Sequence, residues 1–127
     1  MKLRIRGNSI RLRLTQSEVS QLVSNRRVES KVSFGNKDED QLTYTVTATD
    51  NVNELTARFR NNEIAIFVPE VVVTEWASTE TVGIEAMQQT RDSELSILIE
   101  KDFACLKPRA GEDDTDTFTN PLAATGG

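Results

Sequence analysis

The 127-residue sequence predicts a mainly β domain of α+β class, a pseudo-twofold barrel or sandwich of about eight strands with two short helices, built from two tandem ββαββ units. Three observations lead to it. Apolar and polar side chains alternate over short stretches bounded by turn residues, the period of half-buried strands. A capping signal opens one helical stretch and a proline opens the other. A single shift of the chain, laying Asn8 on Asn62, makes both patterns coincide, with Arg4/Arg58, Arg6/Arg60 and Ile10/Ile64 identical. The same shift sets Leu12 with Ile66, Leu14 with Val68, Val19 with Val73, Leu22 with Trp76, Ser24 with Ser78 and Val28 with Val82, each pair keeping its chemical class.

In the first unit, Leu3 and Ile5 alternate with Arg4 and Arg6, Gly7-Asn8 supplies a two-residue turn, and Ile10, Leu12 and Leu14 alternate with Arg11 and Arg13. A type I′ turn needs positive φ at both central residues, which Gly and Asn tolerate best, so a hairpin is expected with Leu3, Ile5, Ile10, Leu12 and Leu14 on its buried side. Thr15-Gln16-Ser17-Glu18 has capping-box spacing and opens a helix over residues 16–24 with Val19, Leu22 and Val23 as its stripe. Val28, Ser30, Val32 and Phe34 line a third strand, and Leu42, Tyr44, Val46 and Ala48 a fourth. The second unit repeats the order: a hairpin over 56–68 about Asn61-Asn62, Pro69 in a first helical turn, a helix with Val72, Val73, Trp76 and Ala77 on its face, then strands at 82–86 and 95–101.

Length suits one domain at 1–110, with internal copies at 2–49 and 55–102, followed by an acidic loop and a tail expected to be disordered at 111–127. No apolar run is long enough for a membrane helix, and the alternating start of the chain lacks the apolar core of a secretory signal, so the expected address is the cytoplasm. The sequence has one cysteine and no histidine, which removes internal disulfides and the usual zinc and histidine-based catalytic arrangements; no cofactor, no metal and no enzymatic activity are expected. Cys105, between Ala104 and Leu106, reads as a small buried hydrophobe, although Lys101, Lys107 and Arg109 stand close enough in sequence to lower a thiol pKa.

Net charge is −5, but its distribution is uneven. Lys2, Arg4, Arg6, Arg11 and Arg13 occupy the first hairpin without an acid, while Glu112, Asp113, Asp114 and Asp116 crowd the C-terminal loop. A turn on Gly7-Asn8 sets Lys2 against Arg13, Arg4 against Arg11 and Arg6 against Ser9, so five cations share one face, and some anion should answer them. In the second copy Arg58 faces Ala65 and Arg60 faces Glu63, with Phe67 outward and diagonal to Arg58, poised for cation–π packing. The expected site is therefore anion-binding, through Lys2, Arg4, Arg6, Arg11, Arg13, Arg58 and Arg60. Its occupant is nucleic acid or another anionic partner, or, alternatively, the chain's own Glu112, Asp113, Asp114 and Asp116 as counter-charge in a structural or oligomer-forming module, a homodimer among the possibilities. The same acids suit calcium or magnesium poorly, because EF-hand spacing is absent.

The Gly7-Asn8-Ser9 turn, the strand ending Arg13-Leu14 and the capped helix resemble the swapped-hairpin unit of AbrB-type transition-state regulators and MazE-type antitoxins. The second copy keeps Val68-Pro69 where that motif has Ile-Pro but turns on Asn61-Asn62. In those proteins two chains interleave hairpins into one barrel, which implies that two copies in one chain could do so alone, and implies a DNA-binding role for arginines near the hairpin. The whole chain also resembles a small uncharacterised bacterial family, through Met1-Lys2-Leu3-Arg4-Ile5, Glu100-Lys101-Asp102-Phe103, Cys105-Leu106 and the acids from Glu112. That resemblance implies no activity.

Overall fold

The computed structural model describes residues 1–103. Within them the order is β1 (Lys2–Arg6), β2 (Ser9–Leu14), α1 (Gln16–Asn25), β3 (Arg27–Ser33), a short 3-10 turn at Asp38–Asp40, β4 (Gln41–Thr49), β5 (Thr56–Arg60), β6 (Glu63–Pro69), α2 (Glu70–Ser78), β7 (Gly83–Gln89) and β8 (Glu94–Lys101). The ββαββ order therefore occurs twice. Acidic residues 112–116, Cys105 and the tail lie outside the described residues.

The copies do not sit side by side. One four-stranded sheet runs β1-β2-β8-β7 and the other β3-β4-β6-β5, so each sheet takes one hairpin from each copy. At both centres the copies meet in parallel: β2 on β8, with Ile10 level with Ile97 and Leu12 with Ile99, and β6 on β4, with Ile64 level with Tyr44 and Ile66 with Val46. The architecture is a sandwich. Among the described residues four strand edges stay unpaired by other strands, and the two sheets do not close into the barrel form of the expectation.

Local chemistry explains the crossings. The Thr15 hydroxyl accepts from the Glu18 N–H at 3.3 Å and the Glu18 carboxylate accepts from the Thr15 N–H at 2.9 Å, starting α1 just past β2. Arg26, at φ 67°, ends it: the left-handed residue reverses the chain while its N–H returns to the Leu22 carbonyl at 3.0 Å. In α2, Pro69 is the N-cap rather than part of the first turn. The helices carry the chain between sheets in opposite senses and pack on each other, with Arg26 and Glu70 forming an ion pair across them. They bury Val19, Leu22, Val73 and Trp76 against Leu12, Leu14, Val46, Ile66, Val68, Ile97 and Ile99. Each such side chain contributes on the order of 1.5–3 kcal/mol by leaving water. The Trp76 indole N–H donates to the Val82 carbonyl at 2.9 Å, which lets the largest core residue be buried without an orphaned donor.

The hairpin turns gather at the end away from the helices. Asn61 and Asn62 are both left-handed, at φ 51° and 61°, the type I′ pattern. At the first turn only Gly7 has positive φ, 55°, so the type I′ geometry expected for Gly7-Asn8 is not formed, although the turn still has two residues, with Arg6 opposite Ser9. Asn8 and Asn62 are alike for a second reason: each side-chain amide ties its turn to the neighbouring hairpin, Asn8 to the Glu94 carbonyl at 2.7 Å and Asn62 to the Glu39 carbonyl at 3.0 Å.

Two further expectations change. Register equates Val28 with Ile84, not Val82, because four residues link α2 to β7 whereas Arg26 alone links α1 to β3. Ile5 points inward but is 61% exposed, and its counterpart Phe59 is 68% exposed, because both lie near the open end of edge strands.

Candidate functional site

The register of β1 on β2 sets Lys2 opposite Arg13, Arg4 opposite Arg11 and Arg6 opposite Ser9. With side chains alternating along each strand, the five cations stand on the outer face of their sheet, about 5 Å from their opposite numbers. Such a face is repulsive unless answered. Part of the answer is β8, whose parallel register sets Glu100 level with Arg13 and Leu98 level with Arg11.

Glu100 accepts a hydrogen bond from Arg13 Nε at 2.6 Å and lies 3.7 Å from Arg11 Nε. Asp102, held by its N–H on the Leu14 carbonyl at 2.9 Å, sits 3.3 Å from Lys2 Nζ. Arg13 and Glu100 are 17% and 16% exposed, so their bond belongs to the stronger, charge-assisted class of about 1.5–3 kcal/mol. The Lys2 side chain of the other pair is largely in water, so that pair contributes little.

Two carboxylates thus serve Lys2, Arg11 and Arg13. Arg4 and Arg6, both exposed, have no carboxylate within 4.0 Å among the described residues. Glu85 shares their face, level with Leu98, but stands two strands beyond Arg11, roughly 10 Å away. The site that remains is a pair of arginines on an edge strand, backed by Arg11.

Arg58 and Arg60 do not join it. They stand on the outer face of the other sheet, where the Arg58 guanidinium lies over the Phe67 ring at 5.0 Å, as expected. Arg60 is level with Glu63, whose carboxylate accepts from the Thr45 hydroxyl at 3.0 Å and lies 3.8 Å from Arg27. Seven candidate cations therefore divide between two surfaces. Glu112, Asp113, Asp114 and Asp116 lie outside the described residues; among those described, Glu100 and Asp102, which the sequence pattern does not single out, supply counter-charge. Glu100-Lys101-Asp102 was the available signal, but strand period alone does not say that β8 lies beside β2.

Two neighbouring groups are structural. Burial raises the Glu18 carboxyl, but the Met1 ammonium at 2.5 Å and the Thr15 N–H outweigh it and hold its pKa below the ordinary range. Lys101 lies 5.8 Å from the Trp76 ring and donates to the Thr79 carbonyl at 2.8 Å, tying β8 to the end of α2. Among the described residues no helix is long and apolar enough to cross a membrane.

The model of a family described only as of unknown function, DUF7009, matches residues 1–122. No curated protein and no solved structure matches the chain.

Proposed function

We propose, for a chain that belongs to the DUF7009 family of unknown function, that it is a non-enzymatic binding domain whose β1–β2 hairpin engages an anionic partner through Arg4 and Arg6, with nucleic acid the first candidate. The observation that carries this is the imbalance on one face among the described residues: five cations, two adjacent carboxylates, and two exposed arginines with none. Guanidinium groups match phosphate oxygens in pairs, and Arg4 and Arg6, two positions apart on one strand, present such donors in a row about 7 Å apart. The cytoplasmic address expected from the sequence suits such a partner. Kinship of each copy with the AbrB-type or MazE-type unit belongs to the same proposal; it draws support from the sharing of each sheet by a hairpin of each copy. The absence of the Arg-Ile-Pro strand end from the first copy weighs against it.

The test is fluorescence anisotropy with labelled duplex and single-stranded DNA across a salt series. Binding should weaken steeply with salt, and Arg4→Gln with Arg6→Gln should weaken it and lower the log–log salt slope by about two, while Arg58→Gln leaves it unchanged. Binding that ignores Arg4 and Arg6, or no binding at low salt even after the chain's own acids at 112, 114 and 116 are neutralised, overturns the proposal.

A further inference from the structure

The two sides of the sandwich are closed differently. On one, the backbone N–H and carbonyl of Ala57 on β5 are both taken by the Gln88 side-chain amide of β7, at 2.8 and 2.9 Å, which stitches that seam shut. Register equates Ala57 with Leu3 on β1, and equates Gln88 with Val32 on β3. Valine has no polar atoms, so the side where β1 and β3 run lacks the stitch.

At the two ends of the β3–β4 ladder, the Phe34 N–H donates to the Asp40 carbonyl at 2.8 Å and the Ala48 N–H to the Arg26 carbonyl at 2.9 Å. Bonded pairs alternate along an antiparallel ladder, so Arg27, Glu29, Lys31 and Ser33 turn their N–H and carbonyl groups away from β4. No other strand or backbone group among the described residues meets them there. Their side chains share the outer face of the sheet, and all four are exposed. A charge on an edge strand ordinarily keeps copies of a protein apart, because it meets its own kind. On β3 the signs alternate, so a copy laid antiparallel meets the opposite sign.

We propose that β3 pairs antiparallel with β3 of a second copy about a twofold axis at Ser30, joining the two sheets into one. That register sets Glu29 opposite the partner's Lys31, Lys31 opposite the partner's Glu29, and Arg27 opposite the partner's Ser33. These are the residues whose backbone groups point outward, so each pair exchanges both its hydrogen bonds. Slipping the register by two residues puts Glu29 on Glu29 or Lys31 on Lys31, which opposes it. Lys31 has no carboxylate within 4.0 Å among the described residues, and the pairing supplies one. Glu29, 2.9 Å from Arg27, then lies between two cations. On the inner face Val32, 38% exposed, comes opposite the partner's Val28 and loses apolar surface to water.

The other open edges lack this self-complementarity. On β1 the outer face carries Lys2, Arg4 and Arg6, which repel their copies in every register, and on β7 the position matching Lys31 is Met87. Arg4 and Arg6 stand on the outer face of the other sheet, so the pairing stands apart from the anion-binding reading of that hairpin.

Analytical ultracentrifugation of the full chain over a concentration series tests it. Wild type should dimerise reversibly. Glu29→Lys alone and Lys31→Glu alone should each weaken the dimer by about tenfold or more, because two attractive pairs become two repulsive ones. Mixing the two variants should restore association, since one then carries two lysines and the other two glutamates. Both substitutions in one chain should restore it as well, and this swap keeps the net charge, so it tests the pairing even where a single variant loses stability. By NMR the Glu29 and Lys31 amides should exchange more slowly as concentration rises, while those of Glu85 and Met87 stay as they were. A monomer at every concentration, a dimer indifferent to the single substitutions, or variants that do not recover when mixed overturns the proposal. Concentration-independent protection of Glu29 and Lys31 assigns the edge to this chain itself, and growth beyond a dimer assigns it to a second edge; either equally overturns it.

Discussion

Replacing Glu100 with Gln removes the charge that holds the basic hairpin to its neighbour while keeping side-chain volume. Its carboxylate takes the 2.6 Å bond from Arg13, and both partners are about five-sixths buried, so about 1.5–3 kcal/mol of charge-assisted bonding is at stake. Arg11, farther away at 3.7 Å and 41% exposed, adds well under 1 kcal/mol. The loss should total about 2 kcal/mol, because Gln still offers Arg13 a neutral acceptor. For a domain this size that lowers Tm by roughly 8 °C. Urea unfolding of wild type, Arg13→Gln, Glu100→Gln and the double variant gives the coupling directly. A coupling under about 0.5 kcal/mol would refute the claim that β8 anchors the hairpin electrostatically. The same Glu100→Gln variant, with Arg11 and Arg13 released, should bind DNA more tightly than wild type at equal salt, an outcome a purely structural account does not expect.

Three further perturbations probe the scaffold. Gln88→Leu removes both bonds to Ala57 and should cost about 1–2 kcal/mol in urea unfolding, with faster exchange at the Ala57 amide; an unchanged midpoint removes the stitched seam. Glu18 has a folded-state pKa below its ordinary value of 4.5, so its contribution is fully present above that value and is lost as pH falls from 4.5 through the lowered folded pKa. Glu18→Gln should accordingly flatten the acid limb of a stability-versus-pH curve below pH 4.5, and a limb of unchanged slope counts against the Met1 contact. Trp76→Ala should destabilise by about 3–5 kcal/mol through the cavity left beneath α2; a loss under about 1 kcal/mol would mean that the indole does not fill the core as described.

The sequence read well where chemistry is local. Alternation, two-residue turns and the Thr15–Glu18 box placed the eight strands and two helices within a residue or two at most boundaries, and the pairing of Lys2 with Arg13 and Arg4 with Arg11 follows from the turn length. What it left open depends on contacts distant in sequence. Strand period does not say whether β2 meets β8 or stays with its own copy, so the sequence alone does not mark Glu100 and Asp102 as partners of the arginines, nor show that the hairpin of Arg58 and Arg60 lies on the other sheet. Ile5 and Phe59 carried the alternation of buried residues, but alternation is blind to whether the opposite sheet extends far enough to cover them. The turn at Gly7-Asn8 differs from the type its residues suggest because Gly tolerates several turn types, and the amide tie from Asn8 to Glu94 is a long-range contact.

The most direct measurement is to follow the arginine side-chain Nε–H signals of the full chain by NMR while a short DNA duplex is added at low salt. Arg4 and Arg6 should shift first and furthest, Arg13 little while Glu100 holds it, and Arg58 not at all. Shifts centred on Arg58 and Arg60, or none on Arg4 and Arg6 even in the chain with neutralised acids, would contradict an anion site on this hairpin.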